Sequence, residues 1–126
     1  VRIDPTSLAI AERIRLGTFE PETLAIGDGF FWLSSSFEGN VLRVDRRTGE
    51  VEDRLPVDSS LFGGVVVGED YWVSSNDGTV YRLDGRSGEV EETFELVGFG
   101  PVPAAGNLWT VDFVSDTVFR LDEPAS

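Results

Sequence analysis

One phrase occurs three times along this chain. Gly27-Asp28-Gly29-Phe30-Phe31-Trp32-Leu33 returns as Gly68-Glu69-Asp70-Tyr71-Trp72-Val73, and again as Gly106-Asn107-Leu108-Trp109-Thr110. A second phrase follows each: Val41-Leu42-Arg43-Val44-Asp45, Val80-Tyr81-Arg82-Leu83-Asp84 and Val118-Phe119-Arg120-Leu121-Asp122. The tryptophans lie 40 and 37 residues apart and the arginines 39 and 38. Two landmarks that keep one phase mean that a single supersecondary unit recurs. A unit of roughly 40 residues with strand-like alternation is the length of a four-stranded β-propeller blade.

Within each repeat the turn chemistry separates four short strands. Leu24-Ala25-Ile26, Gly64-Val65-Val66-Val67 and Val102-Pro103-Ala104-Ala105 read as inner strands. Gly, Asp and Asn then supply the tight turn into the tryptophan strand. The Val-x-Arg-x-Asp strand alternates with period two. Asp45-Arg46-Arg47-Thr48-Gly49 and Asp84-Gly85-Arg86-Ser87-Gly88 turn it into an outer strand, the aspartate accepting backbone N–H groups and the glycine closing the turn. The expected fold is all-β: a propeller segment of three four-stranded antiparallel blades, with repeats at 1–17 (partial), 18–57, 58–97 and 98–126. Residues Ser7–Leu16 have some helical character, but they follow Val1-Arg2-Ile3-Asp4, a copy of the Arg-x-Asp phrase. Position makes Ala9–Leu16 an outer strand, because tertiary context overrides weak propensity.

Structural roles follow for the repeated residues. Trp32, Trp72 and Trp109 are expected to pack between blades, each burying on the order of 150–250 Å². If four residues form each turn, Arg43 faces Glu52 and Arg82 faces Glu91, opposed pairs worth roughly 0.2–1 kcal/mol; Arg120 holds the corresponding place. Glu50, Glu52, Asp53, Glu89, Glu91, Glu92 and Glu95 form a solvated rim on the outer strands.

Charge narrows the partners. Asp and Glu number 23 against 10 basic residues, all of them Arg, for a net charge of −13. Such a surface repels phosphate backbones, which argues against nucleic acid. The sequence contains no apolar run of the ~18 residues that a membrane helix needs, so no membrane insertion is expected. It also contains no Cys and no His, which removes thiol chemistry and the commonest general base.

The pattern Gly-x-x-Leu/Tyr-Trp-Val, then Val-x-Arg-x-Asp-x-x-Thr/Ser-Gly-x-Val, resembles the blades of streptogramin lyase-like and YVTN-type bacterial propellers across residues 1–122. The resemblance implies a propeller and a secreted, periplasmic or other extracytoplasmic setting. The lyases of that group use a histidine in an Mg-dependent elimination, and these residues hold none. Propellers gather function on the loops that enter the inner strand and leave the tryptophan strand. Here those loops carry Glu22, Ser35, Phe37, Phe62, Asn76, Phe99 and Asp112. Aromatic rings among polar groups suit a small-molecule or peptide site. Calcium-dependent lactonase propellers assemble Glu, Asn and Asp oxygens in such a channel; by that resemblance Glu22, Asn76 and Asp112 are the candidate ligands of a divalent cation such as Ca.

Three blades leave an arc open, since closure takes about four to eight. Two routes complete it: a second copy giving a six-bladed ring, or further blades of a longer chain. In the two-copy ring the Trp109 blade meets the Ala9–Leu16 strand of the other copy, with Glu12 available to Arg120. The leading reading is a binding or scaffold module with no catalytic residue of its own. The alternatives are part of a metal-assisted lactonase or lyase whose catalytic residues lie elsewhere, and a domain that only displays interaction surfaces.

Overall fold

The computed structural model describes residues 1–126 apart from 18, 36, 58–59, 96–98, 105–106, 113–114 and 122–126. The elements are all strands. β1 (Arg2–Ile3) pairs with β2 (Ile10–Glu12) as a hairpin. β3 (Thr23–Ile26), β4 (Phe30–Ser34), β5 (Asn40–Asp45) and β6 (Val51–Pro56) form the first four-stranded sheet. The second runs β7 (Leu61–Val67), β8 (Asp70–Ser75), β9 (Thr79–Leu83) and β10 (Val90–Glu95). The third runs β11 (Phe99–Ala104), β12 (Asn107–Asp112) and β13 (Thr117–Leu121). Each sheet is an antiparallel meander, and the innermost strand of the second sheet, β7, packs beside both β3 and β11. This is an open propeller segment. Ala9–Leu16 is a strand only over Ile10–Glu12.

The local chemistry of the turns is repeated in full. The Asp45 carboxylate accepts the N–H groups of Arg47 and Thr48, and the Gly49 N–H reaches the Asp45 carbonyl at 2.8 Å. Asp84 does the same for Arg86, Ser87 and Gly88. The N-terminal hairpin is a third copy: Asp4 accepts from Thr6 and Ser7, and the Leu8 N–H reaches the Asp4 carbonyl at 2.8 Å. Gly49 and Gly88 both have φ of 76°, and Leu8 occupies the same left-handed position with φ of 60°.

The cross-strand expectation needs correction by one residue. Arg43 lies across from Asp53, not Glu52, and Arg82 across from Glu92, not Glu91. The turn length is as read, since the Asp45 N–H bonds to the Glu50 carbonyl and the Asp84 N–H to the Glu89 carbonyl. A bulge then inserts Glu52 and Glu91 as extra residues. A bulge sets two residues against one and re-aims the side chains beyond it. The acidic rim is consequently split: Asp53 and Glu92 are drawn inward onto arginines, and Glu91 still reaches the Arg82 guanidinium at 2.9 Å.

The core lies between sheets. Trp32 stacks on Tyr71 of the second sheet with ring centroids 5.0 Å apart, within a cluster that includes Ala25, Val41, Leu61 and Val73. Gly64 makes this possible, because a Cβ there would overlap the Tyr71 ring. Burial pushes the Tyr71 phenol up to about 12, with the Ser34 and Thr23 hydroxyls pulling it only partly back. Trp72 repeats the arrangement with Val80 against Leu108 of the third sheet. Arg43 ties the first two sheets together: it grips Asp53, donates to the carbonyls of Gly85 and Arg86 in the next sheet's turn, and lies 4.4 Å over the Phe30 ring. Arg82 differs because Asp70 stands where the first repeat has Phe30, so it forms ion pairs with Asp70, Glu91 and Glu92. Trp109 departs from the expectation for its class. It is 36 % exposed, where Trp32 is 1 % and Trp72 2 %. The two buried rings are covered by the next sheet, and among the described residues no sheet follows the third.

Candidate functional site

The loop residues singled out from the sequence sit at one kind of junction, where an inner strand begins and a tryptophan strand ends. The Glu22 N–H donates to the Ser34 carbonyl at 3.0 Å, and the Asn76 N–H to the Ser60 carbonyl at 3.0 Å, so a backbone bond closes this junction in each of the first two sheets, with the donor on the entering side in the first and on the leaving side in the second. Ser35 is buried and its Oγ accepts the Phe37 N–H at 3.1 Å, which leaves the Phe37 ring projecting into solvent. Beside it, Glu38 accepts the Glu20 N–H and pairs with Arg54 at 3.5 Å, and Arg54 lies over the Phe19 ring. Phe62 is half-buried on β7. Asp112 ends β12 and accepts the Ser115 hydroxyl at 2.8 Å. Phe99 opens β11, and its side chain lies outside the described residues.

A cluster of carboxylates lies in another part of the second sheet. Among the described residues, Asp70, Asp84 and Glu91 form the one group of three acidic side chains whose oxygens lie within 4.8 Å of one another. The sequence reads Asp84 as a turn residue, Glu91 as opposite an arginine, and Asp70 as part of the tight turn into the tryptophan strand. Its signal was legible as an acid standing where the first repeat has Phe30. The electrostatics of the trio are those of an ion-pair network. Arg82 contacts Asp70 at 2.8 Å and Glu91 at 2.9 Å, and the Gly85 N–H bonds to the other Asp70 oxygen. The Ser87 N–H, then Glu91, then the Arg86 N–H hold the Asp84 carboxyl down at about 2, while its bond to Asp84 raises Glu91. Hydrogen bonding to the charged form lowers a carboxyl, and a neighbouring carboxylate raises one. The guanidinium and backbone N–H groups already supply the positive partners of this site.

Apolar side chains are exposed on the two faces at the ends of the arc. Behind the first sheet a cleft of about 300 Å³ is lined by Ile14, Leu16, Leu24, Ile26, Phe31 and Leu33, with Arg2, Glu12 and Arg46 as its charged lining. Leu24 is 58 % exposed and Ile26 56 %. At the other end, Val102, Trp109, Val111 and Val118 are exposed on the third sheet.

Fold and faces together define an open arc of β-propeller blades. No known family model matches the chain, and no curated protein matches it. Solved structures of propeller proteins do match. It is similar to Sqt1 of Saccharomyces cerevisiae (TM-score 0.69, 14 % identity, 89 % of this chain and 35 % of that one). It is similar to AztD from Citrobacter koseri (0.68, 18 %, 91 % and 34 %) and to BamB from Moraxella catarrhalis (0.63, 22 %, 77 % and 29 %). These likenesses establish the fold, and the chain spans about a third of the length of these structures. Among the described residues no helix is long and apolar enough to cross a membrane.

Proposed function

We infer that the chain is a binding or scaffold module built of propeller blades, divided as read from the sequence and completed through its end faces by a second copy or by further blades. The observation that carries this is the contrast between Trp32 and Trp72, sealed beneath a following sheet, and Trp109, which is not. Exposed apolar faces of this kind mark interaction sites. The placement among streptogramin lyase-like and YVTN-type bacterial propellers, the extracytoplasmic setting, and ligand contacts through Glu22, Ser35, Phe37, Phe62, Asn76, Phe99 and Asp112 belong to the same reading. Sedimentation of the chain across a concentration series tests it: reversible association supports completion by self-association, and a monomer at every concentration leaves only further blades. A calorimetric titration with calcium separates the metal-assisted alternative. Heat that is lost in Glu22→Gln or Asp112→Asn, and not in Asp84→Asn, would favour that alternative over a scaffold.

A further inference from the structure

The N-terminal hairpin is half of a blade, seated where a blade belongs. Its register, Arg2 across from Glu12 with a bulge between Arg2 and Ile3, repeats Arg43 across from Asp53 and Arg82 across from Glu92, each also followed by a bulge. Its Asp4 turn repeats the Asp45 and Asp84 turns bond for bond. Ile14 packs on Gly49 of the first sheet as Leu55 packs on Gly88 of the second. The hairpin therefore holds the third- and fourth-strand positions of a blade stacked behind the first sheet. The place of that blade's first two strands is the cleft lined by Leu24, Ile26, Phe31 and Leu33. Among the described residues β1 has no neighbour on its other edge. Among the described residues the third sheet has the converse composition, with first, second and third strands and no fourth.

Resting on the reading of completion by self-association, we propose that the occupant of this cleft is the third sheet of a second copy, docked head to tail with Trp109 on Phe31. The argument is continuity with an interface the chain already builds between its own first and second sheets. In register, Trp109 stands where Trp32 stands, each facing the arginine of the next strand. Phe31 stands where Tyr71 stands: each pairs with the residue one place beyond the tryptophan's partner on the inner strand, Ile26 and Val66. The Trp32–Tyr71 stack, at 5.0 Å and 7°, is the template for Trp109 on Phe31. Val102 and Val118 take the places of Ala25 and Val41, which are buried. One chain carries both halves of the interface, so two copies satisfy both ends at once and a closed ring follows if the rotation closes. One third-position strand must yield in each composite blade. β1 holds β2 through Arg2↔Glu12 and Ile3↔Ile10 alone, whereas β13 is registered to β12 from Leu108↔Leu121 to Asp112↔Thr117. β1 is thus the strand that peels away, and β2 then pairs with β13 with Glu12 across from Arg120.

The experiment is interface complementation in the full chain. Trp109→Glu spoils one face and Ile26→Glu the other, both at exposed positions. Sedimentation is expected to give a wild-type species of twice the 13.8 kDa chain mass. Each variant alone should weaken association at least about tenfold, as loss of a central aromatic anchor does. An equimolar mixture should recover a dimer through its one unspoiled junction, and deletion of residues 1–3 should strengthen association. Circular dichroism of each variant confirms that the sheets persist; should one be unfolded, Val118→Glu or Leu24→Glu replaces it on the same face. A wild-type monomer defeats the reading of self-association itself. A dimer that tolerates both substitutions, or variants that fail to complement, overturns the head-to-tail docking and leaves that reading standing.

Discussion

Replacing Arg43 tests whether the sheets are held by a side chain that reaches from one to the next. Arg43 is 7 % exposed and serves three kinds of partner at once. Its Nε and one terminal nitrogen grip Asp53, its other terminal nitrogen donates to the Gly85 and Arg86 carbonyls, and its plane covers Phe30. Hydrogen bonds to a charged group contribute about 1.5–3 kcal/mol, and a partly desolvated cation over a ring adds about 0.5–1. The Asp53 side chain keeps 35 % exposure and rehydrates when its partner is lost, which places the sum near the lower end. Arg43→Ala is therefore expected to cost about 3 kcal/mol, or about 10 °C in Tm for a domain of this size. Arg43→Lys recovers less than half, because an ammonium cannot hold the carboxylate and both carbonyls in one fork. Asp53→Asn costs only about 1 kcal/mol, since the bonds to the next sheet survive it. The assay is urea unfolding at fixed protein concentration, so that association does not shift the midpoints. A cost below about 0.5 kcal/mol for Arg43→Ala, the range of ordinary surface changes, would refute the reasoning. Equal costs for Arg43→Ala and Asp53→Asn would show that the carbonyl bonds contribute nothing.

Leu8→Gly should stabilise the N-terminal turn by about 1 kcal/mol, because a left-handed conformation costs an L side chain roughly that much and exposed Leu8 gives up little burial. Slower exchange of the Leu8-position and Asp4 amides checks it; unchanged exchange contradicts it. Trp32→Ala should cost about 3–5 kcal/mol, and Trp109→Ala less, about 2 kcal/mol, at concentrations where the chain is monomeric. Equal costs would show that Trp109 is as well covered as Trp32. Acid should loosen the turn after β9. The Asp84 carboxyl is depressed to about 2 from 3.8, so its stabilisation is present above 3.8 and is lost as pH falls toward 2. Asp45 and Asp4, lowered by the N–H groups of their own turns, act in the same direction, and Glu91, raised by Asp84, acts in the opposite one. Carboxylate resonances followed by NMR through that range should place the Asp84 midpoint well below an ordinary aspartate, and a midpoint near 3.8 refutes the assignment.

The chain's own residues dictated whatever depends on neighbours close in sequence. The three-fold phrase fixed strand order and sheet membership, because a strand's alternation and an Asp-x-x-Thr/Ser-Gly turn are local matters of backbone conformation and hydrogen bonding. The same signals placed Ala9–Leu16 in a strand against its helical composition, and Ile10–Glu12 is the part that forms one. They were silent where the answer lay in another repeat. The bulge that moved Arg43 from Glu52 to Asp53 depends on how the outer strand twists against the sheet. The room that Gly64 leaves for Tyr71, and the seat of Arg43 on the Gly85 and Arg86 carbonyls, depend on the stacking of one sheet on the next. The candidate site divides along the same line. The sequence placed Glu22, Ser35, Phe37, Asn76 and Asp112 on loops at one kind of junction, but spacing along a chain carries no distance between blades. Only the fold brought Asp70, Asp84 and Glu91 together around Arg82, and only the fold left Trp109 uncovered, because burial is decided by what lies across the gap between sheets.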